Sequence, residues 1–275
     1  MTMARRPTTS APGWSHRAEA TYAIHRTLPE EVPVAVVFNG TTQAVMMATP
    51  ADIADFAWGF ALTEGAITDA TQVEAFEVVE HAQGIEARFW VSDDRAEALA
   101  ERRRSMAGPV GCGLCGIDSL EQAMRAVPRV EGTALRLSRD EVAGATDALR
   151  DGQVLHDLTR ATHAAGFMVP GQGIVALRED VGRHNALDKL IGAMVRGDID
   201  PGTGAAVMTS RLSVELVQKC AVAGIPALIA VSAPTAQAVR LATEAGLTLA
   251  AFARGGGFDT YTHPFRITDE AAHVA

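Results

Sequence analysis

The chain has 275 residues, of which 48% are hydrophobic, 21% charged and 5% aromatic, a composition typical of a globular protein with one large domain or two moderate ones. Its formal net charge of −9 argues against a general binder of nucleic acid or anionic membranes. Three cysteines are too few for a secreted disulfide scaffold.

The first half of the chain predicts a small α+β unit behind an N-terminal arm. Residues 1–28 are polar and unpatterned, which indicates a flexible arm. Asn39-Gly40 between two apolar runs is typical of a tight hairpin turn, and Thr49-Pro50 indicates a capped helix start. The expected elements are strands at 32–38 and 43–47, a helix at 51–64, strands at 73–79 and 85–91, and a charged helix from 92 to about 105. We expect this domain to cover residues 29–135 and to end in a glycine-rich loop that holds Cys112 and Cys115.

The second half alternates between helices and strands and predicts an α/β domain at 136–275. Ser138 and Glu141 form a capping-box pattern for a helix that ends near Gly152. The expected elements that follow are strands at 166–169 and 174–177, a helix at 186–195, a strand at 205–208, a helix at 214–223, a strand at 227–231, a helix at 236–245 and a strand at 247–252. This order favours a mostly parallel sheet with helices on both faces. Ligands of such sheets bind beyond the carboxyl ends of the strands.

No segment reads as a membrane span or an export signal. Arg5-Arg6 is followed by polar residues where an export signal needs an apolar core, and the longest uncharged stretch, 220–239, contains two prolines. The sequence therefore predicts a cytoplasmic protein without membrane or nucleic-acid partners. Lys189 and Lys219 are the only lysines, so an anionic ligand would meet mainly arginine guanidinium groups.

The sharpest local motif is Cys112-Gly-Leu-Cys115, and three kinds of chemistry compete for it. A structural zinc site needs about four ligands, and the isolated histidines His156 and His163 supply no second pair. A thioredoxin-like pair would open a helix after a strand. A sulfur carrier needs an exposed thiolate on a loop that two other proteins can reach, and the glycines allow such an approach. Spacing alone leaves redox chemistry and sulfur transfer open. Cys220 lies on an apolar helix face and is expected in the core.

Several longer stretches resemble the FdhD family, the sulfurtransferases that serve formate dehydrogenase maturation. Besides the cysteine motif, they are residues 31–40, 45–48, 59–65, 178–189, 210–215 and 223–226, so the resemblance spans about Glu31 to Ile267. It implies a protein that accepts sulfur from a cysteine desulfurase as a persulfide. The sulfur would pass to the molybdenum or tungsten bis-pterin guanine dinucleotide cofactor, ahead of its insertion into apo formate dehydrogenase. A cofactor-binding chaperone without turnover is the alternative.

The resemblance also implies roles for particular residues. Cys112 matches the persulfide carrier, with Cys115 as its partner in relay or resolution. The fold implied is a homodimer whose larger, three-layer α/β/α domain is similar to cytidine deaminases without their zinc signature, so no intrinsic metal is expected. The cofactor-binding stretch of the family matches Phe252-Ala253-Arg254-Gly255-Gly256-Gly257. A strand end followed by an arginine and glycines exposes amides and a guanidinium to a phosphate, although three glycines alone are more often a turn.

Two further segments are candidates for the cofactor site. Arg183 and His184 are expected to face the cofactor, although Arg183 could instead pair with Asp180 at the surface and His184 could be structural. Ser210 and Arg211 lie at a strand-to-helix turn that favours an anion, and Ser210 or Ser213 could equally be a plain helix cap. Residues 162–165, Thr-His-Ala-Ala, match another family element, with Arg160 where the family usually has a glycine.

Overall fold

The computed structural model describes residues 5–105, 127–130 and 134–269, and this part of the chain forms a mixed α/β fold of four sheets and seven α-helices. It begins with a β-hairpin, which lies in the segment expected to form a flexible arm. Strand β1 (Thr8–His16) pairs antiparallel with β2 (Thr21–Pro29) along its whole length. Ser15 on one face is buried, whereas Trp14 on the other is 69% exposed. The hairpin is paired through a ladder of backbone hydrogen bonds and has no continuous apolar run, which is why hydrophobic patterning did not predict it.

The α+β unit matches its prediction closely. Its sheet has the order β4-β3-β6-β5, with β3 and β6 parallel at the centre. The strands and helices are β3 (Val32–Phe38), β4 (Thr41–Ala48), α1 (Ile53–Thr63), β5 (Val73–His81), β6 (Gly84–Val91) and α2 (Asp93–Ser105). Asn39 and Gly40 have φ of 43° and 78°, the conformation that the hairpin turn requires. Thr49 is not the helix cap, because α1 is preceded by Asp52, which makes no side-chain cap.

The larger unit contains a six-stranded sheet with the order β13-β12-β11-β10-β8-β9. Its strands are β8 (His163–Val169), β9 (Gly173–Asp180), β10 (Ala205–Met208), β11 (Ala227–Ala230), β12 (Thr248–Arg254) and β13 (Gly257–Thr262), while β7 (Leu137–Ser138) and β14 (Ile267–Thr268) form a separate short pair. Strands β10, β11 and β12 pair parallel to one another, as predicted for the C-terminal strands. Strand β9 points in the same direction, whereas β8 and β13 run antiparallel to their neighbours, so the hairpins β8–β9 and β12–β13 make the sheet a mixed one.

Helices contact both faces of this sheet. They are α3 (Arg139–Asp151), α4 (Val154–Thr159), α5 (Arg183–Arg196), α6 (Val214–Val222) and α7 (Ala236–Ala245). Apolar residues of α5, α6 and α7 share one core with the sheet, and those of α3 share another on the opposite face. The capping box of Ser138 and Glu141 is confirmed. The short helix α4 has no buried residue, which explains why apolar spacing did not predict it.

The two units meet where α1 crosses α5, and the crossing is too close for any side chain at its centre. A Cβ atom on Gly192 would lie 1.8 Å from the carbonyl oxygen of Asp55, and one on Gly59 would lie 1.8 Å from the carbonyl oxygen of Asp188. Both contacts are with backbone, which cannot rotate away. Glycine is therefore required at both positions.

Candidate functional site

The sequence-predicted cofactor residues lie along one edge of the six-stranded sheet. Strand β8 runs antiparallel to β10, and β9 runs antiparallel to β8, so the end of β9 shares an edge with the ends of the three parallel strands. We call this the carboxyl edge and define it as residues 180–184, 209–213, 231–235 and 252–257. The strand order thus brings together segments that are far apart in the chain, as expected for a ligand site of this architecture.

Helix α5 begins at the carboxyl edge with unsatisfied backbone groups. Its N-cap, Gly182, has no side chain to offer, and no acidic residue lies in the first turn. Arg183 is the first helical residue. The alternative in which it pairs with Asp180 at the surface is wrong, because Asp180 is fully buried and forms its ion pair with Lys189. A free helix start beside a guanidinium attracts anions.

His184 lies between the starts of α5 and α6. Its Nε2 atom is 3.4 Å from the hydroxyl of Ser213 and 3.9 Å from a carboxylate oxygen of Glu215. Burial, together with the neighbouring Arg183, lowers the pKa of His184 to about 4. The imidazole is therefore neutral near pH 7, and it can donate and accept one hydrogen bond each.

The turn between β10 and α6 is shaped by its own hydrogen bonds. Ser210 is buried, and its hydroxyl donates to the carbonyl of Arg211 at 3.0 Å, so it does not cap α6. Ser213 occupies the N-cap position without making a cap hydrogen bond. Burial alone would raise the pKa of Glu215, but hydrogen bonds from Ser213 and from its own backbone N–H hold that pKa below its usual range. Arg211 is exposed.

The glycine triplet forms the tip of the hairpin between β12 and β13. Arg254 pairs with Gly257, and Gly255 and Gly256 between them have φ of 60° and 79°. A Cβ atom on any of the three glycines would meet no atom of the described residues within 4 Å, so this part of the structure leaves the tip open to a ligand. The reading of three glycines as a turn is therefore correct in local structure, and the exposed Arg254 beside that turn is compatible with phosphate binding.

The remaining residues of the cofactor stretch are held by packing. Phe252 sits in a bulge with φ of 54° and packs on the face covered by α5, α6 and α7. Ala253 is buried on the opposite face, and its carbonyl accepts a hydrogen bond from the Thr146 hydroxyl. Backbone strain at a bulge commonly accompanies a functional site.

The Thr-His-Ala-Ala element reaches the same edge. His163 lies with its Nδ1 atom 3.4 Å from the hydroxyl of Thr209, and the Thr162 hydroxyl donates to Glu179 at 3.0 Å. Arg160, which stands where the family usually has a glycine, takes the left-handed conformation with φ of 58°. Although Arg160 replaces the glycine that is usual in the family, it has a backbone conformation that glycine also adopts readily.

Sequence reasoning missed the buried polar residues that join the two units. Asp180, Asn185 and Lys189 contact the β4–α1 turn, and Asp188 contacts α1 and α6. The scarcity of lysine was a usable signal, since the only two lysines, Lys189 and Lys219, are both buried in ion pairs. Buried charges in proteins are paired and hydrogen-bonded.

The predicted sulfur-carrying residues Cys112 and Cys115 lie outside the described residues. Cys220 is fully buried, which confirms its expected place in the core, and burial raises the pKa of its thiol. Within the described ranges, no group of three or more His, Cys, Asp or Glu side chains is arranged to hold a metal ion. No described helix combines the length and the apolar character needed to cross a membrane.

Comparison with known proteins identifies extensive similarity. Residues 29–268 match the model of the FdhD/NarQ family. The chain is 53% identical over 242 residues to the "Sulfur carrier protein FdhD" of Agrobacterium fabrum, covering 88% of this chain and 89% of that protein. It is 49% identical over 255 residues to the protein of the same name from Brucella abortus, covering 93% and 95%. Among solved structures, a protein from Desulfotalea psychrophila assigned as a formate dehydrogenase accessory protein has the same fold, with a TM-score of 0.76, 23% identity, and coverage of 96% of this chain and 100% of that one.

Proposed function

The chain belongs to the FdhD/NarQ family, and from this premise we propose that it is a sulfurtransferase of formate dehydrogenase maturation. It takes sulfur from a cysteine desulfurase as a persulfide on Cys112 and delivers it to the molybdenum or tungsten bis-pterin guanine dinucleotide cofactor destined for apo formate dehydrogenase. The observation that carries the proposal is the identity of about one half, over nearly the whole chain, with relatives named sulfur carrier proteins.

The transfer steps follow from thiol chemistry. The Cys112 thiolate attacks the outer sulfur of the donor persulfide, a new S–S bond forms, and the donor cysteine leaves as a thiolate. In the release step, the Cys115 thiolate attacks the inner sulfur of the Cys112 persulfide. The outer sulfur then leaves as hydrosulfide, reduced by two electrons, while the two cysteines are oxidised to a disulfide. In this proposal Cys115 is the resolving thiol, and a dithiol reductant must reduce the Cys112–Cys115 disulfide before the next transfer.

The cofactor, as substrate, would bind at the carboxyl edge. Its phosphates carry negative charge, and this edge offers the guanidinium groups of Arg183, Arg211 and Arg254 together with the uncapped start of α5. A local concentration of positive charge can hold an anion although the chain has a net charge of −9. His184 supplies a neutral hydrogen-bonding group, and Ser210 shapes the loop that presents Arg211.

The Phe252–Gly257 stretch completes the proposed site. The open hairpin tip allows a phosphate to approach the backbone amides, and the buried Ala253 anchors the strand beneath it.

We further propose an assembly for this function. The protein is a cytoplasmic homodimer, and each protomer consists of the α+β domain at 29–135 and the larger domain at 136–275, which has a cytidine-deaminase-like arrangement. The close crossing of α1 and α5 supports a fixed relation between these domains within one chain.

Persulfide mass spectrometry tests the carrier role. Incubation with a cysteine desulfurase and labelled cysteine should add one sulfur atom to the peptide that carries Cys112. Cys112→Ala should abolish the gain and the maturation of the target dehydrogenase, whereas Cys220→Ala, at a buried position, should leave the gain on Cys112 in place.

The alternative is a chaperone that binds the cofactor without carrying sulfur. It is favoured only if Cys112→Ala supports full maturation. Stoichiometric zinc in the purified protein would instead point to a metal site at the cysteine motif.

A further inference from the structure

We propose that Asp180 is a positioning residue for the cofactor site, one that fixes the start of α5 against the β4–α1 turn. The inference rests on the proposed function, because it concerns the placement of Arg183 and His184 at the carboxyl edge.

Four donors converge on the Asp180 carboxylate. Its Oδ2 atom accepts from the backbone N–H of Thr49 at 2.9 Å and from Lys189 Nζ at 2.8 Å. Its Oδ1 atom accepts from the backbone N–H of Gly182 at 2.8 Å and from Asn185 Nδ2 at 3.1 Å. Asp180 is completely buried, so water cannot replace any of these partners.

These contacts tie the start of α5 to the smaller unit. Lys189 also donates to the carbonyl of Thr49 at 3.0 Å, and Asn185 donates to the carbonyl of Met47 at 2.8 Å. The Thr49 hydroxyl accepts from the backbone N–H of Val181 at 3.1 Å. The N-cap residue Gly182 therefore has its position set by groups 130 or more residues earlier in the chain, and Arg183 and His184 follow it directly.

Only a carboxylate fits this environment. An asparagine at position 180 has one acceptor oxygen and one NH2 group. Because all four neighbouring groups are hydrogen-bond donors, the NH2 group would point at two of these donors instead of accepting from them. The first turn of α5 must then shift to relieve them. A shift of about 1 Å is enough to weaken a preorganised ligand contact severely.

Asp188 provides a matched control in the same helix. Like Asp180 it is a buried aspartate paired with one of the two lysines, since Lys219 Nζ lies 2.9 Å from its Oδ1 atom. It lies about 7.5 Å along the axis from the helix start, and it faces α1 and α6 rather than the N-cap. Neutralising it breaks a comparable ion pair without touching the start of α5.

The proposal is tested by calorimetric titration with GDP, the probe for the guanine nucleotide part of the substrate. Each variant is titrated at a temperature well below its unfolding midpoint. Asp180→Asn should lower the affinity for GDP by about tenfold or more, and Asp188→Asn by less than about twofold, although both lose stability. If Asp180→Asn does not fold, Asn185→Ala, which keeps the ion pair, should still lower the affinity by about threefold or more.

The outcomes separate the two claims. The positioning role alone is overturned if Asp180→Asn binds GDP with wild-type affinity, or if Asn185→Ala does so where Asp180→Asn does not fold. It is also overturned if the Asp180 and Asp188 variants lose affinity for GDP equally. A wild-type protein that does not bind GDP overturns the proposed cofactor site and this inference with it.

Discussion

Adding one methyl group at the helix crossing should destabilise the whole protein. In Gly192→Ala the new Cβ atom would lie 1.8 Å from the carbonyl oxygen of Asp55, 2.6 Å from its carbon and 2.8 Å from the backbone nitrogen of Gly59. An ordinary contact needs about 3.5 Å, so α1 and α5 would have to separate by about 1.7 Å. Overpacking costs about 1–3 kcal/mol, and the upper end applies because all three neighbours are backbone. Alanine returns about 1 kcal/mol through its higher helix propensity, leaving a loss of about 2 kcal/mol.

Urea denaturation followed by circular dichroism measures this loss. Gly144→Ala is the matched control, because Gly144 lies inside α3 and a Cβ there would meet no atom within 4 Å among the residues that the structure describes. That variant should gain about 0.5–1 kcal/mol in its free energy of unfolding. Gly59→Ala should resemble Gly192→Ala, and the double variant should lose less than the sum, since one separation of the helices relieves both clashes. A stable Gly192→Ala protein that behaves like Gly144→Ala would refute the close crossing.

Three further outcomes follow from the polar groups. Because burial depresses the pKa of His184 to about 4, the unfolded chain binds a proton at this histidine more readily than the folded chain does. The contribution of neutral His184 to the free energy of unfolding is therefore full above about pH 6.5 and falls as the pH drops toward 4. In urea titrations at several pH values, His184→Gln should lose less stability on acidification than the wild type. Lys219→Met leaves Asp188 buried without its cation and should cost about 3–5 kcal/mol in thermal or urea unfolding. The double variant Lys219→Met/Asp188→Leu should recover much of this loss. Equal stabilities of the single and double variants would contradict the ion-pair argument. Arg254→Ala should weaken GDP binding and reduce its dependence on salt in titrations at two ionic strengths, with Arg240→Ala on the exposed face of α7 as the control that changes neither.

Local signals predicted much of the fold. The strand at 205–208 and the helix at 236–245 have the predicted bounds, because each is a short apolar run or an apolar stripe between clear end signals. Helix α5 starts three residues before its predicted start at 186, since its first residues are polar and serve the carboxyl edge rather than the core. The strand β13 was missed for a similar reason: its side chains alternate between half-buried and exposed, without an apolar run.

The candidate site was predictable only in outline. The order of strands and helices predicts which segments reach the carboxyl edge, and the structure places Arg183, Ser210 and Arg254 there. The buried polar contacts that fix the start of α5 were not predictable from one sequence. Its hydrogen bonds join Thr49 to Asp180 and Lys189, residues 131 and 140 positions away, and no local spacing encodes such a partnership.

The burial of both lysines should make the folded protein unreactive toward reagents that modify lysine side chains. Acylating reagents such as succinimidyl esters attack accessible uncharged primary amines, and in the folded molecule neither Nζ atom is available, since Lys189 is fully covered and Lys219 is 5% exposed. Coupling through surface lysines will therefore fail on the native protein. A dye that does couple to a lysine side chain therefore marks a molecule in which the two units have separated.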